Sequence, residues 1–178
     1  MLARTSNSAG GQMGFGQAIS TCFRKYAVFR GRAARSEYWY FVLFGALLEI
    51  PAGIADAVIA GSGQNGGQPV SGLISLVLFL PRISVAVRRL HDVNRSGWVL
   101  GGLFLYILVA GAMLGFYIYS LGGATPSFAG PIGIVGIVLF LGLFAWLVYL
   151  FVLSVVKGTT GPNAYGEDPL GPDVNVFQ

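Results

Sequence analysis

The side chains best equipped for chemistry crowd into residues 88–98, Arg-Arg-Leu-His-Asp-Val-Asn-Arg-Ser-Gly-Trp. This stretch holds three of the chain's eleven basic residues, its only histidine and one of its seven acids. Guanidinium forks match phosphate and carboxylate geometry, and a histidine beside an aspartate invites an acid–base reading. The spacing argues against catalysis. Side chains at adjacent helical positions do not face each other, so His91 and Asp92 make a poor dyad. Nothing supplies a third member: the single cysteine, Cys22, lies in a different segment, and no Gly-x-Ser-x-Gly elbow occurs. One histidine and one cysteine have no metal-ligand spacing either. The sequence therefore predicts no catalytic residue, no metal and no cofactor, and a protein that is not an enzyme.

The elements around this polar island explain where it must sit. The chain has 178 residues, of which 54% are hydrophobic and only 10% charged, and its mean hydropathy is +0.70. Soluble domains carry about 25% charge, so the composition belongs to the membrane class. Four apolar runs approach the ~20 residues that span a bilayer: residues 39–60, 70–87, 98–121 and 131–156. Two uncharged turn segments, 61–69 and 122–130, join the first to the second and the third to the fourth. Residues 1–16 are rich in Gly, Ser, Asn and Gln and read as a disordered tail, residues 17–170 as the membrane domain, and 171–178 as a short C-terminal tail. No cleaved signal peptide is expected.

Between the tail and the first span, Ile19, Cys22, Phe23 and Tyr26 recur at helical spacing, with Arg24 and Lys25 opposite. This predicts an amphipathic helix, lying in the membrane interface or packed on the ends of its own bundle. Ser36 is placed to cap the first span, and Tyr38, Trp39 and Tyr40 form an aromatic belt at headgroup level. The predicted fold is thus an all-α membrane protein of four transmembrane helices preceded by an N-terminal amphipathic interfacial helix.

Charge sets the orientation. Six Lys/Arg precede the first span, three lie in residues 88–98 and Lys157 follows the last span, whereas the two connections on the opposite side have none. Basic loops stay in the cytoplasm, so both termini and the polar island are expected there. The net charge of +4 then serves orientation, not nucleic-acid binding. Small residues four apart, among them Gly53, Ala57 and Gly61, allow close helix approach in lipid. Packing within the chain is the simpler use of them, and association with a second copy or another membrane protein is the alternative.

Three blocks resemble the DUF805 family of bacterial inner-membrane proteins. They are Cys22 to Phe41, with Tyr26, Phe29, Gly31, Arg32, Arg35, Glu37 and Trp39; Arg89-Leu90-His91-Asp92 with Ser96-Gly97-Trp98; and Gly161, Asn163, Tyr165, Gly166, Asp168 and Pro169. The resemblance implies a small multi-span inner-membrane protein and carries over no catalytic role. The long outer loop and the N-terminal tail depart from it.

All three blocks fall on the expected cytoplasmic side, so Arg32, Arg35, Glu37, Arg89, His91, Asp92, Trp98, Asn163 and Tyr165 are candidates for one polar cluster. Two readings stand. Ion pairs in such a cluster can clasp the loop and both termini against the bundle. Basic residues just outside a span also attract anionic lipid headgroups, at ~1 kcal/mol each. A third reading concerns the bilayer itself. Glu49, about ten residues or ~15 Å from either end of the first span, and Asp56, two turns later, flank Pro51. A carboxylate pair beside a proline break could carry protons, cations or solutes. Arg82 could reach towards Glu49, but it is placed nearer the cytoplasmic face, where it can snorkel.

Overall fold

The computed structural model describes residues 13–60, 67–120 and 131–171. Among them are five helices: α1 (Phe15–Arg24), α2 (Arg35–Ala60), α3 (Pro69–Asp92), α4 (Trp98–Ser120) and α5 (Pro131–Val155). The last four each contain a stretch long and apolar enough to cross a membrane, Arg35–Ile59, Pro69–Asp92, Trp98–Ser120 and Gly133–Val155. Two compact units divide the chain. One holds α1 to α3 with the segment from Lys157 onward, and the other holds α4 and α5.

In the first unit α1 buries Ala18 and Cys22 against α2, while Phe15 and Phe23 on its flank remain partly exposed. Phe23 meets Phe41 and Phe44 edge-on, with ring centroids 5.8 and 6.0 Å apart. The core is small: Cys22, Ala33, Phe41, Leu78 and Val85, flanked by Tyr38, Phe44 and Ile74. The helix begins two residues before the expected start, so Phe15 and Gly16 leave the expected tail. It ends at Arg24, which puts Tyr26 in the following turn. That position has a use. Pro81 lies inside α3 and has no N–H for the carbonyl four residues earlier. The hydroxyl of Tyr26 donates to that carbonyl, on Val77, at 2.7 Å. Ser84 Oγ, 2.8 and 2.7 Å from the carbonyls of Lys25 and Val28, pins the same turn to α3.

Two boundaries differ from those expected. Ser36 is the second residue of α2 and not its cap. More consequential, α3 does not stop at residue 87 but runs on to Asp92. Arg and Leu are good helix formers and no Gly or Pro interrupts them, and the basic side chains near the end favour the helix dipole. The helix gives way only where Asn94 takes a positive φ of 55°. Arg88, Arg89, His91 and Asp92 are therefore fixed on a helical turn and not spread along a loop.

The other end of α3 is held by Asp56. Its two carboxylate oxygens accept the backbone N–H groups of Val70 and Ser71 at 2.9 and 2.8 Å, and the Ser71 hydroxyl at 2.5 Å. Two free N–H groups at a helix start, and a serine hydroxyl beside them, are thus satisfied by an acid from the neighbouring helix. In the second unit, Tyr106 of α4 donates to the Leu139 carbonyl of α5 at 2.5 Å. A Cβ on Gly142 would press into that hydroxyl, so glycine makes room for the bond.

Asp56→Ala should lower the melting temperature of the purified protein, because the donors at the start of α3 lose their acceptor, while Asp56→Asn should keep most of it. Thermal unfolding in detergent measures both. Equal melting of parent and alanine variant would remove the cap from the account.

Candidate functional site

The turn at the end of α3 is enclosed by two segments far away in the chain. On one side is the stretch joining α1 to α2, where Gly31 turns with a φ of 84°. On the other is the segment after α5, which turns at Gly161 (φ 75°) and Gly166 (φ 136°). The last carbonyls of a helix have no partner within it. Here the Arg88 carbonyl accepts Ala33 N–H at 3.0 Å, and the Asp92 carbonyl accepts Thr159 N–H at 2.9 Å. The His91 carbonyl accepts Asn163 Nδ2 at 2.9 Å. Both segments therefore cap the same helix.

Asp92 is the centre of this assembly. Arg32 reaches its Oδ1 from Nε at 2.9 Å and from Nη2 at 2.8 Å, and Arg89, one turn back on α3, donates to its Oδ2. The Arg32 guanidinium also donates to the Thr159 carbonyl and, at 2.6 Å, to the Gly161 carbonyl. One arginine thus ties all three segments together. All three side chains are at most 5% exposed, so the pairs work at low dielectric, where removing one partner strands the other. Gly158 lies so close that a Cβ there would overlap the Asp92 carboxylate.

Beside this core, His91 Nδ1 is 3.1 Å from the Gly31 carbonyl. Its ring stacks on Tyr165, centroids 4.0 Å apart and planes 6° from parallel. His91 and Asp92 thus face different partners, as the dyad argument anticipated. Asn163 Oδ1 accepts Tyr165 N–H at 2.8 Å and so shapes the turn that delivers the tyrosine. Glu37 belongs to a neighbouring pair: its Oε1 accepts Arg88 Nη1 at 2.5 Å, with Cys22 Sγ 3.8 Å away. Burial and the nearby Glu37 charge push the Cys22 thiol up to about 12, so it is no nucleophile at neutral pH.

Of the nine candidate cluster residues, Arg32, Arg89, His91, Asp92, Asn163 and Tyr165 meet directly. Glu37 pairs with Arg88, and Arg35 lines a cleft against Asp92. Trp98 is different. It opens α4 in the other unit, and its side chain is 84% exposed. Sequence reading left Arg88 out of the set although its signal was present. Leu78, Pro81, Val85, Arg88 and Asp92 are all buried and follow at alternating steps of three and four, one helical face. Thr159 and Gly158 were also missed, and their part is largely played by backbone contacts that composition does not mark.

The cleft has a volume of about 240 Å³ and is lined by Arg35, Asp92, Lys157, Thr159, Thr160 and Asp168, among others. Asp168 accepts the Gly161 and Leu170 N–H groups, each at 3.0 Å. The Leu170 bond is the largest cause holding this carboxyl below the usual aspartate range, and Arg32 and Lys157 add to it. Among the described residues no group of three His, Cys, Asp or Glu is arranged to hold a metal.

The intramembrane acids do not form a pair. Asp56 is the α3 cap, whereas Glu49 Oε1 accepts Arg82 Nη1 at 2.7 Å and the Ser75 hydroxyl at 3.0 Å. Of the two expected courses, Arg82 takes the one towards Glu49 and does not snorkel away. Gly45, one turn before Glu49, makes this possible, since a Cβ there would strike the Arg82 guanidinium.

Spanning helices with a buried polar clasp at one end define a multi-pass α-helical membrane protein. The chain belongs to the DUF805 family, described as proteins of unknown function, whose model matches residues 26–167. It is similar to the inner membrane protein YhaI of Escherichia coli strain K12, 32% identical over 147 residues that cover 82% of this chain and 89% of the relative. It is also similar to the inner membrane protein YhaH of the same strain, 27% identical over 146 residues covering 82% and 90%. No solved structure matches the chain. Together with the four spans, these relatives make it a multi-pass inner-membrane protein.

Asp92→Asn removes the shared partner of two buried arginines and should destabilise the protein by ~3–5 kcal/mol. Arg35→Ala, at an exposed position, should cost at most ~1 kcal/mol. Melting of both variants in the same detergent measures the contrast. Similar small losses would mean that Asp92 does not hold the clasp.

Proposed function

We propose that the chain is a non-enzymatic structural or accessory component of the inner membrane. Both termini face the cytoplasm, and the clasp closes a cationic cleft that receives anionic lipid headgroups. The observation that carries this reading is the distribution of charge at the cleft. Arg35 and Lys157 line it together with two acids, Asp92 and Asp168. Asp92 is already engaged by two arginines and Asp168 by backbone N–H groups. The cations lining the mouth, Arg35 and Lys157, therefore set its sign, and the Thr159 and Thr160 hydroxyls beside them suit phosphate oxygens.

The orientation rests on the one-sided distribution of Lys and Arg. It sets the clasp at the cytoplasmic leaflet, where anionic lipids gather. α1 supports the same arrangement as an interfacial helix. Phe15 and Phe23 on α1 are partly exposed near Arg24, and Val28 and Phe29 in the stretch that follows are exposed beside Lys25 and Arg30, a mixture suited to the headgroup boundary. Transport by a Glu49–Asp56 carboxylate pair has less behind it, because each acid has its own partners.

In detergent, added phosphatidylglycerol should raise the melting temperature of the parent more than phosphatidylcholine does. Arg35→Gln/Lys157→Gln should lose most of that difference, at ~1 kcal/mol for each basic residue. Equal stabilisation by the two lipids, or a double variant that responds like the parent, would overturn the headgroup reading. For orientation, a cysteine at Ser96 should be labelled by an impermeant maleimide only after the cells are opened, and one at Gln68 in intact spheroplasts. The reverse pattern would sink both the orientation and the lipid leaflet it implies.

A further inference from the structure

One ion pair within the spans is left half-exposed. Glu49 and Arg82 sit roughly midway along α2 and α3, yet their side chains are 31% and 35% exposed. Both hydrogen bonds to Glu49 fall on Oε1. Its Oε2, and Nε and Nη2 of Arg82, have no hydrogen-bond partner among the described residues. An ion pair at this depth facing hydrocarbon is costly, and such groups turn instead to protein or water. α4 and α5 contain no Asp, Glu, Lys, Arg or His, so neither can bring a charge to meet them.

A second copy can. We propose that the α2–α3 face bearing Glu49, Ser75 and Arg82 is the two-fold interface of a homodimer, with Glu49 of each copy against Arg82 of the partner subunit. The geometry follows from symmetry. A two-fold axis along the membrane normal, passing in front of an antiparallel helix pair, sets α2 of one copy opposite α3 of the other. Glu49 and Arg82 are at one depth, because they are bonded to each other. The operation therefore brings acid opposite base twice, and the unused oxygen and N–H groups complete a ring of four charges. The surface between them permits close approach. Gly53, one turn beyond Glu49, and Gly72, one turn before Ser75, each have open space where a Cβ would stand.

The test uses two differently tagged full-length copies expressed together and recovered from lipid nanodiscs through one tag. Parent copies should co-purify. Glu49→Arg expressed alone places four arginines at the interface, and Arg82→Glu alone places four acids. Each should reduce co-purification at least ~10-fold, since like charges juxtaposed across an interface repel. Glu49→Arg with one tag and Arg82→Glu with the other should restore it, because every charge then meets its opposite only across the two-fold axis. The doubly reversed chain Glu49→Arg/Arg82→Glu should also associate with itself. If the single reversals fail to insert, Glu49→Gln and Arg82→Gln, read by energy transfer between labelled copies, should show the same loss. Monomeric parent at every protein-to-lipid ratio would overturn the proposal. So would recovery in the doubly reversed chain without recovery in the mixed pair, since the charges would then be matched only within one copy.

Discussion

Three segments of this chain depend on one carboxylate. Asp92 ends α3, and the arginines on it come from α3 itself and from the stretch before α2. Through Arg32 the same centre takes in the carbonyls of the segment after α5. The tie is expensive in isolation, because desolvating charges consumes much of what their attraction returns. It works because the surplus donors are used. Arg32 spends its remaining N–H groups on backbone carbonyls, and those carbonyls lie in glycine-rich turns that would otherwise bury them without partners.

The Glu37–Arg88 pair shows the other side of that balance. Arg88 is fully buried, and its Nε and Nη2 have no hydrogen-bond partner among the described residues. Unmatched donors at such depth are costly, so this pair does not exist to maximise stability. Its effect is positional. Glu37 stands in the first turn of α2, and Arg88 stands one turn before the end of α3. Their contact fixes where α2 starts relative to where α3 stops, and hence where Arg32, a few residues before α2, meets Asp92.

Much of this was legible in the sequence and some was not, for definable reasons. Spans are written in long apolar runs, and the four runs reappear as α2 to α5 within a few residues. The gathering of Arg32, His91, Asp92, Asn163 and Tyr165 could be anticipated because topology confines them to one end of the bundle. The extent of α3 could not be read from hydropathy, which falls at Arg88 although the helix continues. Periodicity carries that information, since Arg88 and Asp92 extend the buried face of Leu78, Pro81 and Val85. The partners of Glu49 and Asp56 escaped for a different reason. Both acids share a helical face, which suggested that they act on each other. What they act on is a neighbouring helix whose register no single-helix pattern contains.

That register is where the polar residues of the spans come together. Lipid offers no hydrophobic drive between apolar helices, so two greasy surfaces can slide past each other at little cost. α2 carries three acids, and each engages α3 at a different height: Asp56 at its first turn, Glu49 at Arg82 near its middle, Glu37 at Arg88 near its end. The partners run in opposite order along the two helices, so the pair is antiparallel and its register is fixed at three levels. A slip by one turn would uncap α3 and break both ion pairs at once. Pro81 and Gly45 belong to the same design, one opening a carbonyl for Tyr26, the other a path for Arg82. The clasp can therefore be assembled from three distant segments because the helix that carries Asp92 has no freedom to move along its neighbour.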